Sequence, residues 1–153
     1  MSRIDETLAR LGIVLPTPTA PVANYVPYVI VGNLVFVSGQ VSIGAGGLIT
    51  GKLGADLSLD RGVEAARACG VNLLAQIKAA CGGDLDRVKR VVKLTGFVNS
   101  APDFTDQPKV VNGASDLMVA AFGERGRHAR AAVGAPSLPM GAAVEVDGVF
   151  EIA

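Results

Sequence analysis

Tryptophan is absent from this 153-residue chain, and aromatic residues make up only 5 % of it. A core must therefore be built from Val, Leu, Ile and Ala. There is one histidine, and there are two cysteines, Cys69 and Cys81. Both cysteines fall in one predicted helix, where their spacing separates them by about 18 Å, far beyond disulfide reach. They read as reduced, buried, small apolar residues, which favours a cytoplasmic protein. One His with two distant Cys supplies no metal cluster. An excess of charge is also missing: 14 basic residues balance 14 acidic ones. That argues against a nucleic-acid binder relying on a general basic field. No run reaches the ~20 apolar residues of a membrane span. The start of the chain carries Asp5 and Glu6 and shows no signal-peptide pattern.

What is present is apolar: half of the residues are hydrophobic. The length suits a single domain over 1–153 with its own core, and the composition suits a protein that hides apolar surface in an oligomer. Residues 1–23 read as an N-terminal helical arm and Pro-rich connector. Ser2 to Leu11 has an amphipathic stripe of Ile4, Leu8 and Leu11, a start at Ser2 with Glu6 nearby, and a stop at Gly12. Pro16 to Pro21 is an extended connector, and the arm should pack on the outside of the domain. Tyr25 to Val31 and Leu34 to Val41 form a hairpin across Gly32-Asn33. Gly39 in the second strand lets another group approach the backbone closely. The glycine-rich segment 43–54 lacks the order of a phosphate-binding loop and reads as a flexible loop or short hairpin.

Leu59 to Cys81 is a long amphipathic helix, with Ser58 as N-cap and Gly82-Gly83 as terminator. Val88 to Asn99 is a strand. Ser100 to Pro108 is a loop, and Lys109 to Gly123 is the second domain helix. The chain ends in two β-rich runs, the first closing at Val133 to Ala135 and the second spanning Ala142 to Ile152. They read as a closing hairpin, with Asp147-Gly148 as a bend or bulge. Two helices against one sheet make an α+β sandwich. The strands are apolar on both faces, so the uncovered face needs a partner, and subunit association is the simplest cover.

Two charges stand out in the closing runs. Arg130 opens one strand and Glu145 sits inside the other, pointing away from Val144 and Val146. Placed near one rim, they could hold an anionic substrate and activate a water. The alternative is a plain salt bridge on the sheet surface. His128 reads as a surface or loop histidine.

Four sequence words in order carry a family resemblance: GNLVFVSGQ (Gly32 to Gln40), VVKLTGFVN (Val91 to Asn99), VN (Val111-Asn112), and ARAAV…LP…VEV from Ala129 to Val146. From about Tyr25 to Ile152 the chain resembles the RidA/YjgF family of reactive-imine deaminases. Older names for that family are endoribonuclease L-PSP and translation inhibitor. The resemblance implies a chorismate-mutase-like α+β fold, a homotrimer, and a small-molecule cleft at each subunit interface. It assigns carboxylate binding to Arg130 and water activation to Glu145. Tyr25, Ser38, Gly39 and Asn112 fall on the remaining cleft positions. Taken alone, Tyr25 could be a packed strand aromatic, Ser38 a strand-end residue, and Asn112 a residue near a helix start. Asn24 stands where the family often has Pro. Ala132 stands where many of its deaminases have Cys, which marks a divergent branch.

The activity implied is hydrolysis of a small enamine or imine acid to a keto acid and ammonia, with no cofactor. One alternative is a trimer that binds a small carboxylate metabolite without turnover. Another is the ribonuclease or translation inhibitor of the older names, which the balanced charge and single His argue against.

Overall fold

A computed structural model describes residues 1–18 and 23–153. Residues 19–21 of the expected connector lie outside the described residues. The elements are α1 (Arg3–Arg10), β1 (Tyr28–Val31), β2 (Leu34–Val41), β3 (Ile43–Gly44), β4 (Gly47–Leu48), α2 (Leu59–Ala80), β5 (Val88–Asn99), α3 (Gln107–Phe122), β6 (Ala129–Ala135) and β7 (Val144–Ile152). Five strands form one sheet in the order β1-β2-β7-β5-β6, while β3 and β4 make a separate small hairpin.

The helix signals were legible. Ser58 accepts the Arg61 N–H at the start of α2, and Gly82 and Gly83 follow its end with φ of 65° and 95°. α3 starts at Gln107, two residues before the expected start. Pro108 is tolerated there because N–H groups of the first helical turn have no intrahelical partner. At α1, Ser2 and Asp5 cap each other reciprocally, so Asp5 rather than Glu6 completes the capping box. Ile4 and Leu8 are buried, whereas Leu11 is 43 % exposed and lies outside the stripe's contact. The carboxylate of Asp86 accepts the N–H groups of Arg3 and Ile4, each at 3.0 Å. Lys78 donates to Asp5 at 2.8 Å. The arm is thus fastened at its helix N-terminus, where the unpaired donors and the helix dipole favour a carboxylate.

α2 and α3 cover one face of the sheet. Leu73, Leu74 and Ile77 of α2 and Leu117 and Met118 of α3 pack, fully buried, with Val35, Val91, Leu94, Val146 and Phe150 of the strands. The helices also cross each other closely at Gly113. A Cβ there would sit 2.1 Å from the Val63 carbonyl oxygen, so a side chain has no room. Among the described residues nothing covers the other face. Val29, Phe36 and Val133 are 48 %, 44 % and 44 % exposed on it.

Two expectations fail here. The closing runs do not form a hairpin. β6 pairs parallel with β5, and β7 pairs antiparallel with β5 and β2. A strand–helix–strand unit returns the chain to run parallel, as β5-α3-β6 does. Residues 136–143 then step across β5 to reach its other side. The bulge is also displaced. Val37 faces Gly148 and Gln40 faces Val146, so the extra residue lies on β2, at Ser38-Gly39 opposite Asp147. Gly148 serves packing instead: a Cβ there would lie 2.9 Å from the Phe150 ring.

Candidate functional site

The six candidate residues fall into two groups. The first is built on α3 and β6. Arg130 Nη1 donates to Asn112 Oδ1 at 2.8 Å and to Ser115 Oγ at 3.2 Å. Asn112 and Ser115 are three residues apart in α3, so they share a helix face. Ser115 Oγ lies 2.9 Å from His128 Nε2, and His128 Nδ1 lies 2.6 Å from the Gly126 carbonyl oxygen. A carbonyl can only accept, so Nδ1 carries the proton and Nε2 accepts from the Ser115 hydroxyl. Burial, seconded by the charge of Arg130, holds His128 below its ordinary pKa. The neutral ring keeps its acceptor, and the relay Gly126–His128–Ser115 fixes the guanidinium.

Among the described residues Arg130 has no carboxylate partner. The surface salt bridge between Arg130 and Glu145 therefore does not form. Both of its protein partners are neutral, and its Nε and Nη2 edge makes no hydrogen bond within the described residues. An Arg with one nitrogen saturated by neutral acceptors keeps its full charge. It also keeps a free planar fork, the geometry that binds a carboxylate in two parallel bonds.

The second group surrounds the bulge of β2. Gly39 leaves space for Glu145, whose Cδ is 3.0 Å from the point where a Cβ would stand. The close approach expected at Gly39 is therefore made by Glu145 itself. Ser38 Oγ donates to the Val26 carbonyl at 2.7 Å and ties down the segment preceding β1. Tyr25 precedes β1 and is 58 % exposed. Glu145 is half-buried on the uncovered face, and Asp147, two residues along the strand, shares that face. Burial first, and the neighbouring Asp147 charge second, push Glu145 above its ordinary pKa.

These groups are not together within one chain. Arg130 is level with Leu94, which faces the helices, whereas Glu145 is level with Phe97 on the uncovered face. They stand on opposite faces, two strands apart and offset by three residues along the strands. Strand geometry puts their Cα atoms about 14 Å apart.

Among the described residues no three His, Cys, Asp or Glu side chains come close enough to hold a metal. Cys69 and Cys81 are free and buried. Burial pushes both thiols up, Cys69 far above the thiol range, the direction that suppresses the nucleophilic thiolate. No helix among the described residues is long and apolar enough to cross a membrane. Ser115 was not singled out from sequence and Asp147 was read only as part of a bend or bulge, although spacing held the signal. Ser115 is one helical turn from Asn112, and Asp147 is one strand repeat from Glu145.

Residues 5–151 match the YjgF/chorismate mutase-like family, which also carries an endoribonuclease name. The chain is 56 % identical over 152 residues to Protein TCP17 of Trypanosoma cruzi, covering 98 % of this chain and 94 % of that protein. It is similar to the crystal structure of Atu1372 from Agrobacterium tumefaciens, with 50 % identity, a TM-score of 0.92, and coverage of 98 % and 92 % of the two chains. The structure of RidA from the Antarctic bacterium Psychrobacter sp. is more distant, at 29 % identity and a TM-score of 0.57, covering 89 % of this chain and 94 % of that one. With a family match over nearly its whole length, and with these relatives, the chain belongs to the RidA/YjgF family.

Proposed function

We propose that this protein hydrolyses small reactive enamine and imine acids to 2-keto acids and ammonia, in clefts between the subunits of a homotrimer. The observation that carries the reading is the state of Arg130: clamped from behind by neutral groups, uncompensated in charge, with its planar fork free. That fork receives the substrate carboxylate. Glu145 lies on the opposite face of the same sheet, so a second subunit supplies the Glu145 that meets a given Arg130. The exposed Val29, Phe36 and Val133 give that subunit an apolar surface to cover.

In this reaction water adds to the imine carbon while Glu145 takes one of its protons and passes it to the nitrogen. Glu145 then carries the adduct's hydroxyl proton to the nitrogen as well; the C–N bond breaks, ammonia leaves, and the carbonyl of the keto acid remains. A raised pKa makes Glu145 a better proton acceptor. The attacking group is water, so the route runs without the thiol that Ala132 replaces.

Ala132 gives weight to a second reading, a trimer that binds small keto acids without turnover. Freshly generated 2-iminopropionate separates the two. Accelerated pyruvate release is catalysis, whereas heat protection by pyruvate with no acceleration is binding only. Light scattering should give three times the 15.6 kDa chain; a stable monomer at micromolar concentration overturns the intersubunit cleft. Arg130→Ala should weaken keto-acid binding by about 1.5–3 kcal/mol. Glu145→Gln should keep binding and lower turnover by roughly 10²–10⁴-fold.

A further inference from the structure

His128, the one histidine of the chain, was expected on the surface or in a loop, but it is half-buried at the base of the Arg130 clamp. Its anchor is rigid. Gly126 is buried and packs so closely on α3 that a Cβ there would stand 2.2 Å from the Met118 carbonyl oxygen. The Gly126 carbonyl therefore holds Nδ1–H in one place, and Nε2 is left facing Ser115.

The relay has a direction. Arg130 Nη1–H donates to Ser115 Oγ, the Ser115 hydroxyl donates to Nε2, and Nδ1–H donates to the carbonyl. A proton added at Nε2 reverses the middle bond. Nε2–H then donates to Oγ, which already accepts from Arg130, and the serine hydrogen must turn to another acceptor, such as a carbonyl one helical turn back. Two cations then share one oxygen, which disfavours the proton. The other charges on the surrounding elements are engaged elsewhere. Arg125 donates to the Val88 carbonyl, Arg90 to the Arg127 carbonyl and Arg127 to Glu124, while Lys93 acts on Asp147. Asp116 is exposed and lies about 100° round α3 from Ser115. Arg130 is the charge that bears on the ring.

We infer that His128 couples proton binding to capture of the substrate carboxylate, an inference that rests on Arg130 as the carboxylate site. A carboxylate in the free fork offsets the guanidinium charge, so the reversed relay is no longer opposed. Burial is the larger cause of the low ring pKa and persists in the complex; the Arg130 part is what the carboxylate releases. Proton and carboxylate then favour each other's binding by the same factor. Keto-acid affinity rises as pH falls through the His128 titration and levels off below it.

With one histidine, the ring ¹⁵N signals of the labelled intact protein report His128 alone. The neutral ring should show the Nδ1–H tautomer, and saturating pyruvate should move its titration to higher pH. His128→Gln offers Ser115 an amide oxygen but takes up no proton. The ratio of parent to His128→Gln affinity for pyruvate, measured by calorimetry, should be near one above the titration and rise several-fold below it. Other titrating groups of the cleft cancel in that ratio. His128→Leu offers no acceptor and should bind pyruvate several-fold more weakly than His128→Gln. The coupling is overturned by an Nε2–H tautomer, by a titration that pyruvate does not move, by a ratio that is flat with pH, or by His128→Leu matching His128→Gln. A parent that binds no pyruvate at any pH overturns the carboxylate site itself, and the coupling with it.

Discussion

Replacing Gly113 by Ala tests how tightly the α2–α3 crossing is tied to the Arg130 clamp. The new Cβ would stand 2.1 Å from the Val63 carbonyl oxygen and 3.1 Å from the Arg67 nitrogen. Ordinary contact needs the first distance to grow by more than about 1 Å. The obstacle is backbone on the facing helix, so no rotamer change relieves it and the helices must separate. Overpacking of this kind costs typically 1–3 kcal/mol, and a backbone clash belongs at the upper end. Ala gains about 1 kcal/mol over Gly in helix propensity. The clash wins, leaving a net loss of about 2 kcal/mol. For a domain of this size that lowers the melting temperature by roughly 4–8 °C. Asn112 is the preceding residue of α3, and it holds Arg130 at 2.8 Å. A shift of about 1 Å takes that contact past the hydrogen-bond limit, so pyruvate affinity should fall several-fold together with stability. Calorimetric melting and pyruvate titration of the same sample check both effects. Gly46→Ala is the control, since nothing lies within 4 Å of its Cβ position. A Gly113→Ala protein that melts within 1 °C of the parent, with unchanged affinity, refutes the reasoning.

Asp147→Asn removes the charge that is the second cause of the raised Glu145 pKa, so the acid limb of the imine-hydrolysis pH profile should move to lower pH; an unmoved limb means Glu145 is not the titrating base. Gly39→Ala should push the flexible Glu145 carboxylate aside, lowering turnover with little change in urea midpoint, and equal turnover would show that its position is not critical. Hydrogen bonds from the backbone of Arg3 and Ile4 hold Asp86 below its ordinary pKa, and the bond from Lys78 does the same for Asp5. Their contribution is therefore complete above the unfolded value near 3.8 and is lost as pH falls through the lower folded values. Asp86→Ala should loosen α1 at neutral pH by about 1 kcal/mol, a typical cap contribution, and hydrogen exchange confined to residues 3–10 would register it. A parent-like exchange rate there counts against Asp86 as the arm's fastening.

The periodic parts of the fold were legible in sequence because each carries a local signature. Ser58 with the apolar spacing of α2, Gly32 between two β-rich runs, and the whole of β5 needed no tertiary information. Strand order was not legible. Nothing local in Ala129 to Ala135 distinguishes pairing with β7 from pairing with β5. The choice follows from where α3 returns the chain, and that depends on Gly96 and Gly113 admitting the helix at close range: a Cβ on Gly96 would meet Val111 Cγ2 at 2.6 Å. The candidate residues were legible by type, but their division between two faces depended on the same strand order.

The strand at the middle of the sheet, β7, follows every other strand of that sheet in sequence. Until residue 152 has emerged, β1–β2 and β5–β6 have no shared neighbour, since β7 pairs with both β2 and β5. Leu34 finds Glu151 across most of the chain's length, a non-local closure of the kind that slows folding. The first hairpin must therefore wait with the β7-facing edge of β2 unpaired until β7 has been made. A premature stop before Val144 leaves two half-sheets with open edges rather than a smaller version of the fold, and such edges recruit other strands.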